Sequence, residues 1–115
     1  MQAVKDYLAA WNAADAEARH HHLMSCVTPD VMYLDPHIVE PVYGIEELQA
    51  LIERFRQRFD HRLEPEAELD IHHQVFRLAW RLQRESGAIL SRGLMVGDLT
   101  ATGLIQRVVH FVDRT

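Results

Sequence analysis

The chain has one cysteine, Cys26, in 115 residues, which excludes an internal disulfide and leaves a thiol expected to be buried, structural and suited to a reducing cytoplasm. Its apolar runs are short, so no segment is expected to span a bilayer. Met1 leads straight into an amphipathic pattern rather than a signal peptide. Lys and Arg number 12 against 17 Asp and Glu and form no cluster, so neither nucleic acid nor an anionic membrane is an expected partner. A Gly-rich phosphate loop and a Ser or Cys nucleophile signature are both missing. Histidine is plentiful, but not at metal-binding spacing. His20, His21 and His22 fall on a predicted helix, where neighbours point about 100° apart, and His72 and His73 fall on a strand, where neighbours face opposite ways. The one set left to meet in space is Asp35, His37 and His110; no metal and no cofactor are expected.

What is present describes an ordinary globular protein, with 48% hydrophobic and 25% charged residues. No repeat, linker or low-complexity segment divides it, so residues 1–115 form a single domain. Val4, Tyr7, Leu8 and Trp11 make the stripe of a first helix. Asp15 can cap a second, running to about Cys26 with Leu23, Met24 and Val27 inward, and Thr28-Pro29-Asp30 breaks it. A short strand, Val31 to Asp35, precedes a loop rich in Pro. After Gly44 comes a third helix, with the stripe Ile45, Leu48, Leu51, Ile52, Phe55 and Phe59, and with Glu46 and Glu47 at its positive end.

From His61 the period becomes two. Phe76, Leu78, Trp80 and Leu82 alternate with Arg77, Ala79 and Arg81; turns at Ser86-Gly87 and Thr100–Gly103 separate strands over Ala88 to Gly97 and Leu104 to Val112. The segment from Leu63 to His73 supplies one more strand. Three helices with a short strand among them, then an antiparallel meander, predict an α+β fold with the helices on the concave face of a strongly curved sheet.

The stretch Tyr33 to His37, followed by Glu40-Pro41 and Tyr43-Gly44, gathers the chemistry. Alternation sends Val31, Tyr33 and Asp35 to one face, and a carboxylate buried there without a partner would be poised as a base near neutral pH. Asp35 could instead accept backbone N–H bonds and organise the loop, and His37 either orients it or faces solvent. Tyr7 is a core phenol or a pocket donor, and Trp11 and Trp80 are core or ligand platforms. Ser91, Gly93 and Met95 share a sheet face, where the two small residues leave room for a cavity. Val108, His110 and Val112 share another face of the last strand, and His110 is suited to proton transfer near neutral pH.

Tyr7, Trp11, Asn12 and Asp15, with Asp35-Pro36, Glu40-Pro41 and Gly44, resemble the N-terminal half of the ketosteroid isomerases. The order of elements across nearly the whole chain resembles the nuclear-transport-factor-like superfamily and its SnoaL-like polyketide cyclase branch. The resemblance implies a cone-shaped curved sheet and helices enclosing a pocket, and a homodimer formed through the sheet. It makes Asp35 the proton-shuttling base and Tyr7 the donor to a substrate oxyanion. A second oxyanion donor of the isomerases, a protonated aspartic acid, falls at Met95, which cannot donate. His110 falls at or near the cyclase's acid/base aspartate. A pocket of this kind would be walled by Trp11, Tyr33, His37, Phe76, Leu78, Trp80, Gly93, Met95, Val108 and Val112. The implied activity is cofactor-independent proton transfer on a small hydrophobic carbonyl or polycyclic molecule, as isomerase or cyclase. A hydrophobic-ligand-binding or dimerisation module of the same fold is the alternative. An epoxide hydrolase would need an Asp-Arg-Asp set, of which only Asp35 is in place.

Overall fold

The protein is described by a computed structural model covering residues 1–114. Helices α1 (Gln2–Asn12) and α2 (Ala16–Cys26) lead into β1 (Val27–Leu34) and β2 (Val42–Tyr43), and α3 (Ile45–Arg58) follows. Strands β3 (Arg62–Pro65), β4 (Asp70–His72), β5 (Val75–Gln83), β6 (Ile89–Leu99) and β7 (Ile105–Val112) complete the chain. Asp15 caps α2 as its position predicts, its carboxylate accepting the Ala18 N–H at 2.8 Å. The buried face of α2 is one residue away from expectation. Arg19, Leu23 and Cys26 point inward at i, i+4 and i+7, whereas Met24 is exposed.

The second helix ends before Thr28-Pro29-Asp30 as expected, but the chain passes directly into β1, which begins at Val27 rather than Val31. Pro29 and Asp30 are exposed where the pairing with β7 slips between Val27 and Met32, and at such a bulge the missing proline N–H costs no ladder bond. Gly44, with φ of 86°, turns the chain into α3 and donates its N–H to the Val31 carbonyl at 2.8 Å.

The sheet runs β2-β1-β7-β6-β5-β3, with β4 also on β5. It is mixed rather than wholly antiparallel: β1 lies parallel to β7, since α3 and the entire meander intervene before the chain returns beside its first strand. The segment expected to give one strand between Leu63 and His73 gives two, β3 and β4, both antiparallel to β5. The sheet is open at both ends and curved around the helices. Asn12 ties the end of α1 to β3, accepting the Leu63 N–H at 2.7 Å and donating to its carbonyl at 3.0 Å. Buried Arg19 holds the helices together by donating to the Ala10 and Ala13 carbonyls and pairing with Glu53. Cys26 is buried among them, and burial pushes its thiol up to about 12, so it stays protonated and inert.

The inward face of β6 is shaped by its neighbours' rings. A Cβ at Gly93 would run into the Phe111 carbonyl and the Trp80 indole, and one at Gly97 into the Phe76 ring and the Arg107 carbonyl. The room expected beside Gly93 is therefore filled by Trp80, and the cavity lies further along the strand. Gly93→Ala is expected to destabilise the fold by about 1–3 kcal/mol, the usual cost of overpacking a core. An unchanged urea midpoint would show that both the indole and the β7 backbone at Phe111 can move aside. On the outward face, arginines are paired with acids: Arg77 meets Asp70 at 2.9 Å, Arg92 meets Glu66 at 2.8 Å and Arg107 meets Asp98 at 3.5 Å. Among the described residues no helix is long and apolar enough to cross a membrane.

Candidate active site

A cavity of about 840 Å³ lies between α3, the end of α1 and the inward face of the sheet. Its position along the strands follows from register. Leu82 sits opposite Ser91, Trp80 opposite Gly93, Gly93 opposite Val112, and Met95 opposite His110. The wall includes Leu82, Trp80, Ser91, Val112 and His110, so the cavity occupies one end of the sheet and stops at His110. Beyond that line the inward residues belong to the buried core. Phe76, Leu78, Met95 and Val108 are buried there in the core and, with Gly93, do not line the cavity. Trp11, Tyr33, Asp35 and His37 do line it.

His110 is 6% exposed and caged by aromatic rings: Tyr33 at 5.5 Å, Trp80 at 5.8 Å, Tyr7 at 6.0 Å and Trp11 at 6.1 Å between centroids. Its Nε2 is 2.8 Å from the Tyr7 hydroxyl. Burial drives its pKa down from 6.5 to about 4, against a weaker pull from the Asp35 charge, so the ring is neutral at physiological pH. Burial also holds the Tyr7 phenol far above its usual range, and it too stays protonated. The Tyr7 hydrogen has no acceptor other than Nε2 among the described residues. The network therefore assigns Tyr7 as donor and leaves the proton of His110 on Nδ1, which has no protein partner. Tyr7 itself is fully buried behind His110 and reaches the cavity only through it.

Asp35 lies one residue past β1, so strand alternation does not place it, and it is not the unpartnered carboxylate that alternation predicts. Tyr33 donates to its Oδ2 at 2.6 Å, and the His37 backbone N–H donates to its Oδ1 at 2.7 Å, closing an Asx-type turn. The Tyr33 phenol is held well above its usual pKa, first by burial and then by the charge of Asp35 and its hydrogen bond to that carboxylate. The side chain of His37 is exposed at the cavity rim.

The α3 side of the cavity is absent from the sequence-based site. Leu51, Phe55 and Phe59 wall it, and Arg54 and Arg58 line it near solvent. The signal was the aromatic pair Phe55 and Phe59 at i, i+4, which makes the stripe's last turn wider than helix packing alone needs. Leu90 joins the wall through the register slip that follows Leu82. Two buried donors on wall residues, the indole N–H groups of Trp11 and Trp80, have no acceptor. Among the described residues no group of three His, Cys, Asp or Glu side chains could hold a metal ion.

This architecture is shared with solved structures. A candidate isomerase of the SnoaL-like family from Agrobacterium tumefaciens is 33% identical, with 97% of this chain and 95% of that one covered and a TM-score of 0.88. A candidate polyketide cyclase from Sinorhizobium meliloti has 15% identity, coverage of 96% and 94%, and a TM-score of 0.74. A protein of ketosteroid isomerase-like fold from Catenulispora acidiphila, solved with trimethylamine, has 11% identity, coverage of 95% and 83%, and a TM-score of 0.73. The last two are alike in fold alone. No functionally curated protein matches the chain. Residues 4–103 match the SnoaL-like domain family, and the chain belongs to that family.

Proposed function

We propose that this protein is an enzyme that moves a proton beside the carbonyl group of a small hydrophobic molecule, as an isomerase or cyclase. The observation that carries the reading is the neutral His110, fixed by Tyr7 and feeling the charge of Asp35, at the inner end of an apolar cavity. Asp35 takes the proton from the carbon next to the carbonyl, using lone pairs left free by Tyr33 and His37. His110 donates its Nδ1 hydrogen to the carbonyl oxygen as negative charge develops, and a neutral imidazole does so without losing its own proton. Tyr7 is a positioning residue that holds the tautomer. Met95 supplies no second donor, so the hydrogen bond to the developing oxyanion falls to His110. In an isomerisation the proton returns from Asp35 to the far carbon of the enolate, and nothing is consumed.

A second reading has an observation of its own: both oxygens of Asp35 are engaged in organising the loop, as in a non-catalytic hydrophobic-ligand-binding module. The two separate when a cyclic β,γ-unsaturated ketone is followed in deuterated buffer. The enzyme produces the conjugated ketone and carbon-bound deuterium above the buffer rate. A ketone that raises the melting temperature with neither change identifies the module instead.

A further inference from the structure

Two guanidiniums on the cavity wall have no partner among the described residues. Seven of the arginines pair with carboxylates, at Arg19, Arg62, Arg77, Arg81, Arg84, Arg92 and Arg107. Arg56 is held by the Trp11 and His61 carbonyls. Of the arginines before Arg114, only Arg54 and Arg58 make neither an ion pair nor a side-chain hydrogen bond among the described residues. Both line the cavity, one turn apart on α3. Their positions at i, i+4 set like charges side by side, which opposes helix stability, and no acidic residue stands three or four places from either to relieve it. This happens in a chain with a surplus of acids, whose nearby Glu47 and Glu53 are bound to the Tyr43 N–H and to Arg19 and Gln49. A basic last turn suits the helix dipole, but that does not require an arginine at position 54 or an opening toward an apolar chamber.

We infer that the ligand of this cavity carries a carboxylate, held between Arg54 and Arg58 at the mouth, on an apolar body that reaches toward His110. The inference rests on the cavity being the ligand site of the reading above and adds its substrate class, a hydrophobic keto acid. Two adjacent guanidiniums offer forked donors to one carboxylate, and Leu51, Phe55 and Trp80 offer the apolar walls behind it. Asp35, the one acid on the wall among the described residues, repels a carboxylate that enters first, so the charges also set the direction of binding.

The test compares 2-naphthylacetate with its neutral twin 2-naphthylacetamide by isothermal titration calorimetry near neutral pH and low salt. The acid is expected to bind wild-type protein about tenfold more tightly, as charge-assisted bonds to partly exposed arginines allow. Salt at about 0.5 M shrinks that advantage. The double variant R54Q/R58Q, exposed and on a helix that glutamine suits, brings the two probes level while its melting temperature reports the intact fold. Equal or absent binding of the acid by wild-type protein, or a preference that survives in R54Q/R58Q, overturns the inference. Turnover of a neutral ketone without acid preference sinks this inference alone. Acid preference with no proton transfer sinks the reaction and leaves the anchor standing.

Discussion

Asp35→Asn is expected to slow conversion of a β,γ-unsaturated ketone by roughly 10²–10⁴-fold, the range that a positioned general base supplies. The substitution keeps shape and keeps an oxygen to accept the His37 N–H, but an amide cannot take a proton from carbon. The loss should fall on kcat, with KM little changed, because the carboxylate acts on the reacting atom rather than on the ligand's body. Stability will also respond. The Tyr33 hydroxyl, on a residue only 2% exposed, loses its charged acceptor, which costs on the order of 1–2 kcal/mol. Melting curves recorded beside the kinetics separate the two effects. Equal rates in the variant and the wild-type protein would remove Asp35 from the chemistry and leave it as the residue that shapes the loop after β1.

Local pattern carried most of the fold. The α3 stripe and the two-residue period of β5 to β7 reflect burial of one face, and burial writes itself into consecutive residues. What escaped was non-local. The parallel pairing of β1 with β7 joins Tyr33 to Val108 across the whole chain, and no neighbouring residue records it. Pro29 ends the helix as its type predicts, but that β1 already runs through it shows only in the slipped register beside β7, where its missing N–H is harmless.

The site divided along the same line. Asp35, Tyr33, Trp11, Trp80 and His110 were nameable because an acid, imidazole or indole near apolar sequence is conspicuous residue by residue. Alternation on β5 and β6 could say which face Phe76, Leu78 and Met95 share, but not that the cavity ends at His110. That limit depends on α1, whose buried residues Val4 and Tyr7 fill the remaining end of the core. The Tyr7 to His110 bond spans 103 residues and gives each a partner that neither segment announces. Arg54 and Arg58 read as solvated helix positions, since the helical period does not reveal that the last turns of α3 wall a cavity.

The buried imidazole should make the protein labile to acid. In the unfolded chain His110 takes up a proton near its ordinary pKa of 6.5; in the folded protein burial delays this to about 4. Its folded pKa is lowered, so stability is fully present above pH 6.5 and is lost as pH falls through the window toward 4. That gap corresponds to roughly 3 kcal/mol when the unfolded state alone is protonated. The charges facing the ring are few: Asp35 favours protonation, while the phenols of Tyr7 and Tyr33 stay neutral. His61 adds in the same direction, its pKa lowered chiefly by burial and then by the Arg56 and Arg19 charges, against its bond to the Phe59 carbonyl. Urea unfolding at several pH values between these limits should show stability falling with acid, and His110→Asn should fall less steeply, by up to one proton's worth of slope. Parallel curves for the variant and the wild-type protein would mean that His110 is charged or solvent-reached in the folded state. That result would take away the desolvated, ring-caged donor on which the proposed chemistry depends, although the imidazole would still be mostly neutral at pH 7.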